Sequence, residues 1–98
     1  MTSGCHFAAR AEEDLEEIGD FIARDNPARA LSFVRELRVF CRARITDHPR
    51  AFRERPELGT GIRAAVFGRY LILFFERAAG GVLIERIVHG SRDLDDRQ

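Results

Sequence analysis

Gly68-Arg69-Tyr70-Leu71-Ile72-Leu73-Phe74-Phe75-Glu76 is an apolar run opened by a two-residue turn signal. Glycine at the first of two linking positions marks a type II′ hairpin. Gly68-Arg69 therefore joins two antiparallel strands, Ile62 to Phe67 and Tyr70 to Glu76. The second of these is apolar on both faces, which suits a central position in a sheet. Ala79-Gly80-Gly81 turns the chain again, and Val82 to His89 forms a third strand. Its alternation is mixed: Val82, Ile84, Arg86 and Val88 share one side, and Leu83, Glu85, Ile87 and His89 the other. Pattern alone leaves its buried face open.

Upstream of this hairpin array, residues 49 to 61 hold Pro49, Pro56, Gly59 and Gly61 and read as a loop. Before the loop the period changes from two to 3.6. Ala30, Phe33, Val34, Leu37, Phe40, Cys41 and Ile45 fall within one arc of a helix running from about Pro27 to Asp47. Asn26 caps it, and Pro27 occupies a first-turn position where its missing N–H costs nothing. An earlier helix carries Ala11, Leu15, Ile18 and Ile22 on one face, with its acids read as a solvated surface. The connection is short, so the helices pair as an antiparallel hairpin. A short extended stretch near His6–Ala8 reads as a first strand. The order is strand, helix, helix, strand, strand, strand. The helix hairpin must bury its stripe, and the sheet is the apolar partner available. The expected class is α+β: two layers in one domain over residues 1–98.

Ninety-eight residues with 45% apolar content support one modest core. No stretch approaches the roughly 20 apolar residues of a membrane span, and the opening residues lack a secretory leader. A cytoplasmic protein is expected. Cys5 and Cys41 then read as reduced thiols, Cys41 buried on the helix stripe, and a disulfide between them is disfavoured by the compartment. Neither they nor His6 and His48 have metal-ligand spacing, so no metal or cofactor is expected. The formal charge is zero, which argues against nonspecific nucleic-acid binding. The charges are nevertheless segregated: seven acids against one Arg in residues 12–25, eight Arg against four acids in residues 35–63. There is no lysine, which excludes Schiff-base or lysine general-base chemistry.

Five strings in this order resemble the ParE group of the RelE/ParE superfamily, the toxin halves of bacterial type II toxin–antitoxin pairs. They are Glu12-Glu13-Asp14-Leu15-Glu16-Glu17-Ile18, Asn26-Pro27-Ala28-Arg29-Ala30, His48-Pro49 with Pro56-Glu57-Leu58-Gly59, Gly61-Ile62-Arg63 with Gly68-Arg69-Tyr70-Leu71-Ile72, and Arg86-Ile87-Val88-His89-Gly90-Ser91-Arg92-Asp93-Leu94. The match runs from about Phe7 to Leu94. The resemblance implies a β-α-α-β-β-β fold and a toxin that inhibits DNA gyrase. It also implies a ParD-like antitoxin that wraps the toxin in a hetero-oligomer. Such a segment can lay a helix in a groove or add a strand to a sheet edge.

The rival reading is the RelE type, a ribosome-dependent mRNA endonuclease, which needs acids and bases around a phosphate. Here Lys is absent and the single Tyr, Tyr70, lies mid-chain. His89, Arg63, Glu76, Arg86 and Arg92 are a reduced set for that chemistry. Arg86 and His89, three apart on a regular strand, point to opposite faces. No catalytic residue is assigned. Arg63, Tyr70, Arg86, His89 and Arg92 are instead candidates for contact with the target. Against this stand plainer readings: Arg63 and Arg86 paired with acids such as Glu85 or Asp93, Tyr70 packed half-buried, His89 bonded to backbone, and Arg92 tying down the tail. Phe21, Leu31 and Val39 sit on or beyond the edges of the helix stripes and are candidates for the antitoxin surface. Single exposed apolar residues are also ordinary.

Overall fold

The computed structural model describes residues 4–90, so Arg92 and Asp93 lie outside the described residues. The order of elements is β1 (Cys5–Phe7), α1 (Ala9–Ala23), α2 (Pro27–Phe40), a π-helical turn (Cys41–Ile45), two 3-10 turns (Pro49–Ala51 and Pro56–Leu58), β2 (Arg63–Phe67), β3 (Tyr70–Glu76) and β4 (Val82–His89). The α+β expectation is borne out. β2, β3 and β4 form the antiparallel array, and β1 joins its far side parallel to β4, giving the sheet order β1-β4-β3-β2.

The hairpin signal reads true. Gly68 has φ 62° and, among the described residues, no non-glycine residue has positive φ, so Arg69 follows in the negative region as a type II′ link requires. At the other turn, Gly81 has φ 77° and lies so close to the Gly4 backbone that any Cβ there would collide with it. That close approach lets β1 register with β4 at Cys5↔Val82.

The mixed alternation of β4 has a physical cause. Leu73 pairs with Arg86 but Phe74 pairs with Ile84, so Glu85 is an extra residue in a β-bulge. The bulge switches which side chains face the helices: Val82 and Ile84 before it, Ile87 after it, all 3% exposed or less. With Ile72 and Phe74 of β3 they meet Ala11, Leu15 and Ile18 of α1, and Leu37, Cys41 and Ile45 from the second helical stretch. Each such large side chain, once fully buried, contributes roughly 1.5–3 kcal/mol. Phe33, Phe40 and Phe52 extend this core against Phe67, Tyr70 and Phe74, with ring centroids 5.1–5.8 Å apart.

The second helix is not α-helical throughout its expected span. From Cys41 it widens into the π turn, where Thr46 donates both its backbone N–H and its hydroxyl to the Cys41 carbonyl. The sequence shows no proline or glycine at this point, which is why the periodicity gives no warning. Cys5 and Cys41 are free thiols, Cys41 buried in the core and Cys5 partly buried against it.

Candidate functional site

Two concave surfaces flank α1. The first lies between α1 and α2 and encloses about 930 Å³. Small side chains at Gly19, Ala23 and Ala30 open it, Leu15 and Val34 line it, and Leu31, 70% exposed, stands on its rim. Its walls carry the segregated charge seen in the sequence. Glu12, Glu13, Glu16 and Asp20 come from α1; Arg35, Arg38 and Arg42 come from the second helical stretch. The walls are tied at one end, where Arg38 Nη2 donates to Glu12 Oε1 at 2.7 Å and Nη1 to Oε2 at 3.3 Å. That hydrogen bond, followed by the Arg38 charge, holds the Glu12 carboxyl below the usual carboxylate range despite partial burial.

The second surface, about 860 Å³, runs along the outer edge of β4. β1 pairs only with Val82–Ile84. Past the bulge, the edge of β4 therefore has no strand partner among the described residues, and α1 lies alongside it. Asp14 fills the gap. Its carboxylate accepts the Ile87 N–H at 2.8 Å and two hydrogen bonds from the Arg86 guanidinium, at 2.8 and 3.2 Å. Asp14 is 4% exposed, so it is not part of a solvated acidic face as its neighbours in the sequence suggest. It fixes α1 to the bulge.

The candidate target residues separate. Arg63 sits at the start of β2, paired with Phe74, and donates to the Phe52 carbonyl at 2.7 Å. Arg86 bonds to Asp14. Tyr70 and His89 are paired at the opposite end of the sheet, edge to face with centroids 5.5 Å apart, and Tyr70 also packs on Phe33. The half-buried packing expected of Tyr70 is present. Because the bulge precedes Arg86, the strand between Arg86 and His89 is regular and their side chains do point to opposite faces. Both nevertheless border the β4-edge groove, together with Tyr70, Arg69, Arg24 and Phe21. Among the apolar candidates, Phe21 (56% exposed) borders this second groove and Leu31 the first, while Val39 (53% exposed) lines neither. Asp14 and Arg69 were missed by the sequence reading.

Solved structures share this fold. A chain of the chromosomal ParDE toxin–antitoxin system from P. aeruginosa superposes with a TM-score of 0.71 at 20% identity, over 89% of this chain and 95% of that one. A chain of the toxin–antitoxin complex RelBE2 from Mycobacterium tuberculosis gives 0.65 at 23% identity, over 91% and 99%. The architecture is that of the RelE/ParE toxins. No curated protein sequence matches the chain. The family model for the ParE toxin of the type II toxin–antitoxin system parDE, however, matches residues 6–94, and the chain belongs to that family. No helix among the described residues is long and apolar enough to cross a membrane.

Proposed function

We propose that this toxin acts on DNA gyrase by docking, without bond-breaking chemistry of its own, and that a ParD-like antitoxin silences it in a hetero-oligomer. The observation that carries the antitoxin half is the groove between the helices. It has an apolar floor, walls of opposite charge and a width set by Gly19, Ala23 and Ala30. These features suit an amphipathic helix with charges along its flanks. Leu31 is its apolar anchor; Phe21 and Val39 would be covered only by a segment that continues around the helix hairpin. Family membership supports gyrase as the target. We assign the target face to the Tyr70–His89 end of the sheet; the groove there, which Arg69, Arg24 and Arg86 also line, supports this reading. Arg63 is assigned a structural role through the Phe52 carbonyl, and Arg92 stays a candidate outside the described residues.

The test is a supercoiling and DNA-cleavage assay with purified gyrase. The expected result is loss of supercoiling with accumulation of cleaved DNA, relieved by the ParD-like partner. Full gyrase activity at excess toxin would overturn the proposal. The second reading, an mRNA nuclease, draws on the contact between Tyr70 and His89 in a groove that also holds arginines. It predicts discrete cuts at ribosomal A-sites in primer extension, abolished by His89→Ala. Two arginines such chemistry would aim at a phosphate, Arg63 and Arg86, are bonded to Phe52 and Asp14, which favours the first reading.

A further inference from the structure

The charges along the inter-helix groove are arranged with a direction. The Glu12–Arg38 tie sets residue 12 of α1 level with residue 38 of α2, and the hairpin turn sets Ala23 level with Pro27. On this frame the remaining acids and cations of the walls are displaced from one another. Glu16 and Asp20 lie on the turn side of the tie, roughly 6 and 12 Å along α1 at about 1.5 Å per residue. Arg35 lies only about 4.5 Å towards the turn, and Arg42 about 6 Å away from it on the far side of the tie. All four are exposed, and none makes a salt bridge within the described residues, unlike Glu12, Glu13 and Arg38. Opposite Asp20 the α2 wall is apolar, formed by Ala30 and Leu31. The half of the groove near the turn is therefore acidic, and the far half basic.

We propose that the occupant is a helix of the ParD-like partner that runs antiparallel to α1, with Lys or Arg on the flank facing α1 and Asp or Glu on the flank facing α2. This rests on the reading of the groove as the antitoxin's seat. The dipoles of α1 and α2 point in opposite senses and oppose each other in the groove, so the side chains decide the direction. A helix carries partial positive charge at its N-terminus and partial negative charge at its C-terminus. The favourable placement puts the start of the partner's helix beside Glu16 and Asp20 and its end beside Arg42. Glu16 and Asp20 are four positions apart on one helix face, so two cations four apart on the partner meet both. Arg35 and Arg42 are seven apart, about two turns, which sets the spacing of the carboxylates that meet them. Between the flanks, apolar side chains enter over Gly19 and Ala30 beside Leu31. An inverted helix puts each of its ends against like charge. A helix with its flanks exchanged puts like charges on both walls.

Calorimetry of the full-length chain with the full-length ParD-like partner reads the flanks. Reversing all four charges together (Glu16→Lys, Asp20→Lys, Arg35→Glu and Arg42→Glu) keeps the formal net charge at zero, so a loss of affinity is local. The quadruple variant should bind at least about tenfold more weakly at low salt, with a smaller difference at high salt. The direction is read on the wild-type toxin, and those cross-links decide even where the variant fails to fold. Because the chain has no lysine, a carbodiimide joins its carboxylates to amines of the partner, its own N-terminal amine aside. Any arginine in the partner's bound segment is first changed to lysine. The partner residue linked to Asp20 should precede in sequence the one linked to Glu16, by about one helical turn. The reverse order, links to neither carboxylate, or undiminished affinity of the quadruple variant overturns the proposal. Leu31→Glu separates this failure from that of the underlying reading. If it weakens binding and the quadruple variant does not, the groove remains the seat and the helix's flanks and direction are wrong; if neither weakens it, the seat is lost as well.

Discussion

Asp14 shows how much one side chain does in this fold. It is the buried charged residue among those described, and its two oxygens satisfy a guanidinium and a backbone N–H that a missing strand would otherwise leave to solvent. Asp14→Asn keeps the shape and removes the charge. Arg86 is 34% exposed, so the loss falls below that of a fully buried pair: about 2–3 kcal/mol, read as a lower urea midpoint. Glu17→Gln, on the exposed side of the same helix, should change the midpoint by less than about 0.5 kcal/mol. Equal losses would remove the anchoring role. A hint of this was present in the sequence, because Asp14 occupies the stripe between Ala11 and Ile18 and adjoins Leu15. What local pattern lacked was the partner, 72 positions away. Phe21 and Leu31, by contrast, are as exposed as their stripe-edge positions suggested, since exposure on a helix follows directly from its period.

At the scale of elements, the helix hairpin is held by its cap and by its charged walls as well as by its core. Asn26 Oδ1 accepts the Arg29 N–H at 3.0 Å at the start of α2. Asn26→Ala should cost about 1 kcal/mol in chemical denaturation, and Asn26→Asp far less. The Glu12–Arg38 tie is half-exposed, so Glu12→Gln should cost only about 0.5 kcal/mol at neutral pH. Its pH dependence has a fixed sign. The folded-state carboxyl is lowered, so the contribution is complete above the ordinary glutamate range, near pH 4.3, and fades as pH falls through the lowered value. Wild type and variant should therefore converge in stability at the acid end; a gap that persists there would assign the loss to packing. The elements themselves were legible because their periods are strong and their boundaries carry Asn26-Pro27, Gly68 and Gly80-Gly81. The π turn and the Glu85 bulge were not. Each inserts one residue without a compositional mark, and its register depends on a distant partner.

For the molecule as a whole, the proposed function divides two recognition tasks between the grooves on either side of α1. Leu31→Glu places a carboxylate on the rim of the inter-helix groove at a side chain that contributes little to the core. It should weaken binding of the ParD-like partner at least about tenfold by calorimetry, with an unchanged melting temperature and undiminished action on gyrase. Loss of both activities would mean that one surface serves both. The sequence disclosed the family and the layers, but not how the candidate side chains are distributed. Arg63 and His89 are both target candidates, yet they pair with Phe74 and Tyr70, towards opposite ends of β3, because strand register sets their separation.

The seating of β1 against β4 has a consequence for how the toxin is made. Residues 5–7 find their hydrogen-bonding partners only at 82–84, nearly the whole chain later. During synthesis the helix hairpin can form as it emerges, but its apolar stripe has no completed sheet to cover until β4 leaves the ribosome. A nascent or truncated chain that stops short of Val82 lacks both the strand that receives β1 and the anchor for Asp14. A chain interrupted before Val82 is therefore expected to leave the helix stripe uncovered and to lack the folded surfaces that recognition needs.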